Sequence, residues 1–171
     1  CEVTPHHLIF DDSAVGDFDT RFKMDPPLRL AEDCEALLDA LLDGTADVIT
    51  SDHAPHSDFE KETDFASAPF GISALDTALV ALFHHLVQPG RLPWGLVAEC
   101  YGAAPRRLLG LPAAELREGA PANLVLFDPA GRSEVTRSFL RSQGANNPFL
   151  GRTLNGSVRL VLLGEAVPVD R

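Results

Sequence analysis

The chain has 171 residues, enough for one domain with a real core. Its 14 Lys and Arg against 25 Asp and Glu give a formal net charge of -11, which opposes sequence-independent attraction to nucleic-acid phosphate. No apolar segment reaches membrane-spanning length and no signal peptide is recognisable; Cys1, Cys34 and Cys100, odd in number and without zinc-ribbon or redox spacing, indicate a reducing compartment, with the cytoplasm as the default location.

In chain order, Glu2-Val3-Thr4 reads as a strand, followed by the adjacent pair His6-His7. On an extended backbone such neighbours point to opposite sides, so the pair is not expected to chelate one ion. From Ala31 to Asp43, Cys34, Leu37, Leu38, Leu41 and Leu42 recur at helical spacing on one face, with Gly44 as the stop. Ala46 to Thr50 is a short apolar run that suits a buried strand. Ser73 with Asp76 three residues later resembles a capping box that opens a helix, and the apolar stretch Leu75 to Val87 carries His84 and His85 as structural or exposed rather than catalytic residues. A short helix from Pro105 is ended by Gly110. Beyond Leu116 the pattern turns to strands at Asn123–Phe127 and Val158–Leu163, with Gly164-Glu165 turning into Ala166–Val169; Gly144 to Pro148 reads as a loop.

The most informative feature is Ser51-Asp52-His53-Ala54-Pro55-His56, a carboxylate and two imidazoles directly after an apolar strand. In parallel α/β barrels the carboxyl ends of strands carry the catalytic groups. A carboxylate there is suited both to ligating zinc and to accepting a proton from water. The competing reading, a capping Asp with two loop histidines, accounts less well for a proline-stiffened turn that follows a strand.

The runs Cys1-Glu2-Val3-Thr4-Pro5-His6-His7-Leu8, Lys23-Met24-Asp25-Pro26-Pro27-Leu28-Arg29, Asp52 to His56 and Ala68-Pro69-Phe70-Gly71-Ile72 together resemble the bacterial type of dihydroorotase, a zinc amidohydrolase of pyrimidine synthesis. Glu118 to Pro129 resembles the return from barrel to small β domain in amidohydrolases. The resemblance implies an α/β fold: residues 1–115 as the last strands and helices of a (β/α)8 barrel and residues 116–171 as part of a small β-sandwich domain. A complete barrel takes about 250 residues. The chain begins at Cys1 with its one methionine at position 24, and is expected to be the carboxyl-terminal part of a longer protein.

By the same resemblance, Asp52 is a zinc ligand and the proton acceptor and donor in the reversible closure of N-carbamoyl-L-aspartate to dihydroorotate. His56 would hold the substrate carboxylate, and Asp25 and the main chain around Phe70 and Gly71 would face the ring. One or two zinc ions are implied, with most ligands in the missing amino-terminal part, since no His-x-His occurs here. Family members commonly have Asn where this chain has Asp25, a change that removes two amide donors and adds negative charge near an anionic ligand. Implied partners are the small-molecule substrate, the rest of the same chain, and a second copy or aspartate carbamoyltransferase. Two further readings are a hydantoinase- or allantoinase-like cyclic amidohydrolase and an inactive homologue that scaffolds aspartate carbamoyltransferase.

Overall fold

The computed structural model describes residues 1–164 and 166–170 and is an α/β structure. β1 (Glu2–Val3) and β2 (Val48–Ile49) pair in parallel with Glu2 opposite Val48 and Val3 opposite Ile49. Thr50 extends the ladder by donating its N–H to the Val3 carbonyl at 2.9 Å. Between the two strands runs α2 (Ala31–Leu42), the crossover that parallel pairing requires. Asp33 caps it by accepting the Leu30 N–H at 3.0 Å. Of the expected apolar face, Leu38 and Leu41 are buried while Leu42 is exposed, because one further residue rotates it past the stripe that touches the core.

The expected strand at Glu2 to Thr4 is shorter than its pattern. Thr4 leaves the sheet to cap α1 (Pro5–Ile9), its hydroxyl accepting the His7 N–H at 3.3 Å with Pro5 at the start of the helix. His6 and His7 therefore sit on a helix, and the argument from an extended backbone does not apply to them.

The Ser73–Asp76 capping box does not form. α4 (Ala78–Leu82) starts five residues after Ser73, since the Ser73 hydroxyl is buried without a partner among the described residues and the Asp76 carboxylate accepts the Ser142 N–H at 3.0 Å. α4 widens into a π-turn at Phe83–Val87, and α5 (Trp94–Ala98) does the same at Glu99–Ala103 before α6 (Ala104–Leu108). A short α3 (Asp58–Lys61) follows the Asp52–His56 run, with Ser57 and Glu60 forming a capping box.

β3 (Asn123–Glu134), β4 (Thr153–Leu163) and β5 (Ala166–Asp170) make an antiparallel sheet in that order, β3 and β4 being longer than their apolar runs suggest. The reason is that Arg132 to Glu134 pair with Thr153 to Asn155 through backbone bonds that need no apolar pattern. A register shift after Leu126 accompanies the packing of Phe127 against Phe83 and Trp94, at ring separations of 4.9 and 5.1 Å. Glu165 of the expected turn lies outside the described residues.

Two apolar clusters hold these parts. One gathers Leu8, Leu38, Leu41, Ile49, Leu82 and Leu86 around the parallel pair. The other joins Phe10, Met24 and Ile72 to Val135, Phe149 and Leu154, so residues from both halves of the chain share one core. No helix among the described residues is long and apolar enough to cross a membrane. All three cysteines are free thiols.

His84 and His85 are absorbed by this packing. His84 Nδ1 accepts the Asn155 N–H at 3.1 Å, and the His85 ring lies 5.6 Å from that of Phe149. Burial first, then the charges of His84 and Arg152, lower the His85 pKa to about 4. Between pH 6.5 and about 4 the unfolded chain thus takes a proton at this position that the folded chain refuses, and stability falls as pH drops through that window. Comparing unfolding of the full-length protein and its His85→Leu variant at pH 7.5 and 4.5 should show wild type losing several degrees more than the variant; parallel pH profiles would show that His85 is not the group responsible.

Candidate functional site

β2 ends at Ile49, and three residues later Asp52 adopts φ 45°, a left-handed conformation that Asp enters more readily than most non-glycine residues. Its carboxylate is half-exposed and lines an open cleft of about 530 Å³, together with Thr4, His7, Asp25, Pro26 and Arg29. Asp25 and Asp52, 27 positions apart in sequence, therefore share one cleft.

Two imidazoles lie near Asp52 in different states, His7 on the wall of that cleft and His6 buried behind it. His7 is fully committed: its Nε2–H donates to the Pro26 carbonyl at 2.8 Å, and Nδ1 accepts the Thr4 hydroxyl at 2.7 Å. It thereby pins the loop that carries Asp25 to the end of β1. His6 is buried at 2% exposure with neither ring nitrogen hydrogen-bonded among the described residues, and its Nε2 lies 3.9 Å from Asp52 Oδ2. Burial, reinforced by His7, lowers its pKa to about 3. The contact with Asp52 is therefore between a neutral ring and a carboxylate, and is too long for a hydrogen bond.

His56, Phe70 and Gly71 form a second group. His56 Nε2–H donates to the Phe70 carbonyl at 2.9 Å, which leaves Nδ1 facing Glu60 Oε2 at 3.8 Å. Hydrogen bonds from Ser57 hold the Glu60 carboxyl below the usual range. Gly71 has φ 128°, and a Cβ there would stand 2.6 Å from Ala54 Cβ and 3.3 Å from His56 Nε2, so the close approach of the two segments requires glycine. Phe70 is exposed, with Lys23 Nζ 4.6 Å from its ring centre.

The Asp52–His56 run is held in place by residues that the sequence pattern did not single out. Ala54 donates its N–H to the Ile72 carbonyl at 2.8 Å, and His53 Nδ1 accepts the Leu75 N–H at 3.1 Å. Asn146, nearly fully buried, accepts the His56 N–H on Oδ1 at 2.9 Å and donates Nδ2 to the carbonyls of Ala54 and Gly71 at 3.1 and 3.0 Å. Asn147 donates Nδ2 to the Ser73 carbonyl at 2.6 Å and to the Thr77 hydroxyl at 3.0 Å, and its Oδ1 accepts the Phe149 N–H at 2.8 Å. The available signal was the pair of amides before Pro148 in a segment of small residues. Gly144 completes the fit, since a Cβ there would stand 2.6 Å from the His56 carbonyl oxygen.

As a metal centre the described residues are partial. Asp52 presents an accessible carboxylate, but no group of three His, Cys, Asp or Glu side chains suited to one ion occurs among them.

No protein-family model matches the chain. A protein named dihydroorotase from Carboxydothermus hydrogenoformans is 44% identical over 156 residues, covering 91% of this chain and 36% of that relative. Another of the same name from Thermus aquaticus is 45% identical over 162 residues, covering 95% of this chain and 38% of its own length. The chain thus spans less than two fifths of these two relatives. Among solved structures, an L-hydantoinase (dihydropyrimidinase) from Arthrobacter aurescens superposes with a TM-score of 0.90 at 28% identity, covering 99% of this chain and 39% of that one.

Asn146 generates a direct test of how the site is held. Asn146→Asp keeps the shape but sets a carboxylate against the Ala54 and Gly71 carbonyls. Equilibrium unfolding should show a loss of about 2–4 kcal/mol. A loss below about 0.5 kcal/mol, the size of an ordinary surface change, would remove Asn146 as the tie.

Proposed function

We propose, from a chain that belongs by sequence with the dihydroorotases, that it is the carboxyl-terminal part of a cytoplasmic enzyme interconverting N-carbamoyl-L-aspartate and dihydroorotate. Residues 1–115 would complete the barrel and 116–171 contribute to a small β domain, a division supported by the parallel pair in the first part and the antiparallel sheet in the second. The observation that carries the reading is Asp52, an accessible carboxylate just beyond a parallel strand and inside a cleft of substrate size.

In this reading Asp52 takes the proton of the attacking water and delivers it to the departing ring nitrogen, with the roles reversed in synthesis. Asp52 would also be one ligand of zinc, which when bound polarises the scissile amide and acidifies water; the other ligands belong to sequence outside this chain. The neutral His6 beside Asp52 leaves the carboxylate free of a competing cation. His56 would hold the substrate carboxylate, either through Nδ1 of the protonated ring or by releasing its Nε2–H from Phe70. Phe70 and Gly71 would form the edge against the ring, and Arg29 sets a cation in the same cleft as Asp25.

The likeness to solved hydantoinases supports a second reading, hydrolysis of a neutral cyclic amide. Assays of the full-length enzyme on dihydroorotate and on hydantoin or dihydrouracil separate the two. Preferred turnover of the neutral compounds would sink the dihydroorotase reading, and no turnover of either would favour the scaffold role beside aspartate carbamoyltransferase.

Asp52→Asn in the full-length enzyme should lower kcat by at least about 10²-fold with folding preserved. Near-native turnover at saturating substrate and metal would exclude Asp52 from proton transfer. Asp25→Asn should lower KM for dihydroorotate several-fold, since the amide restores donors and removes a like charge. A higher KM across the pH range would show that Asp25 makes a favourable contact of its own.

A further inference from the structure

Lys61 closes α3, the short helix whose cap Ser57 directly follows His56, yet its side chain turns inward and is 6% exposed. Its ammonium donates to three main-chain carbonyls: Pro69 at 2.7 Å, Thr20 at 3.0 Å and Lys23 at 3.3 Å. An ammonium has three N–H donors, and all three are used. In return the Thr20 hydroxyl donates to the Lys61 carbonyl at 2.8 Å.

The three acceptors lie beside the substrate-facing residues. Pro69 precedes Phe70 and Gly71, and Lys23 lies two positions before Asp25. The Lys23 carbonyl also accepts the Gly71 N–H at 3.0 Å. Lys23 itself is buried and donates its own ammonium to the Ala66 carbonyl at 2.8 Å.

We propose that Lys61 is a positioning residue that gathers the Asp25 loop, the His56 turn and the Phe70–Gly71 edge into one substrate-binding surface through the three carbonyls on its ammonium. The proposal rests on the reading of that surface as the dihydroorotate site and adds the group that assembles it. Burial, followed by the charge of Lys23, lowers the Lys61 pKa from 10.5 to about 8, the mark of a cation held where solvent gives little help. An apolar side chain of the same length would fill the space and leave the three carbonyls without that donor.

The test uses the full-length enzyme with Lys61→Met and Lys61→Arg, read by steady-state kinetics on dihydroorotate and by hydrogen exchange at the Gly71 amide. Lys61→Met should raise KM about tenfold with kcat within about twofold, the split expected when binding geometry is loosened and chemistry is not. Lys61→Arg, which keeps charge and donors, should recover part of the loss. Exchange at Gly71 should quicken by at least about tenfold in the Met variant, since the amide bonds to a carbonyl that Lys61 steadies. Thr20→Val, which removes one hydrogen bond from the same junction, gives the same pattern more weakly and serves if Lys61→Met does not fold. Unchanged Gly71 exchange in the folded variants, or a fall in kcat with KM unchanged, would overturn the proposal. Wild-type enzyme inactive on dihydroorotate would instead overturn the functional reading, with the exchange result still deciding whether Lys61 holds the loops.

Discussion

Two adjacent buried amides, Asn146 and Asn147, are the constraint on which the candidate site depends. The Asp52–His56 run lies beyond the end of a two-residue strand, where sheet pairing shrinks to one parallel bridge, His53 to Ile72, and the main chain needs further partners. Asn146 supplies them from one side chain, closing on the His56 N–H and on the carbonyls of Ala54 and Gly71. Asn147 does the same one layer down, fixing Ser73 and the turn at Thr77 before α4. Each tie spans 70 positions or more in sequence, so the segment that carries the amides, the turn that carries Asp52 and the edge that carries Gly71 reach their arrangement together. A buried polar tie of this kind is worth most because of what its loss would expose: unpaired backbone groups away from water.

That constraint adds polar supports to the apolar ones beneath the site. The two clusters of aliphatic and aromatic side chains hold the parallel pair, α2, α4 and the long antiparallel strands. The loops above them send Met24, Leu28, Ile72 and Ala145 into one of those clusters, and satisfied donors and acceptors fix the rest: Thr4 with His7, His7 with Pro26, His56 with Phe70, Lys23 with Ala66. Each of these bonds has a main-chain group or a fixed tautomer at one end, which sets direction as well as distance. A surface built this way is geometrically defined without being densely packed, as an open cleft must be.

Much of the scaffold was legible in the sequence because its signals are local. The period of α2, the apolar run around Val48 and Ile49, and the chain reversal near Gly164 declare themselves within a dozen residues. The crowded run from Asp52 to His56 stood out for the same reason, and the structure sets its carboxylate in a cleft shared with Asp25. What was not legible depends on partners far along the chain. Ser73 and Asp76 have the spacing of a capping box, but Asp76 is claimed by Ser142, and the helix begins at Ala78 instead. His6 and His7 look equivalent in sequence, yet one turn of helix sends the first into the core and leaves the second bridging Thr4 and Pro26. Asn146 and Asn147 read as ordinary loop residues until the carbonyls they serve are known.

Lys61 is the hardest of these to see in advance, and the reason is chemical. In Asp58-Phe59-Glu60-Lys61 a lysine after two acids has the pattern of a solvated helix face, and Phe59 is the one apolar side chain of the four. The structure reverses this, with Phe59 88% exposed and Lys61 buried. Apolar burial favours the opposite choice by about 1.5–3 kcal/mol for a phenylalanine, so something must outweigh it. Three carbonyls from two chain segments, Thr20 and Lys23 on one turn and Pro69 on the other, meet at one point; those of Thr20 and Lys23 also accept the N–H groups of Lys23 and Gly71, and a buried carbonyl left wholly unpaired would forfeit about 1–3 kcal/mol. Only a group with several donors on one atom satisfies them together, and among side chains the lysine ammonium is the compact one, on a stem long enough to reach the point from the end of α3. The inward lysine follows from where the end of α3 crosses the Thr20–Lys23 turn and the Pro69 segment, the crossing that ties the chain just before Asp25 to the chain just before Gly71.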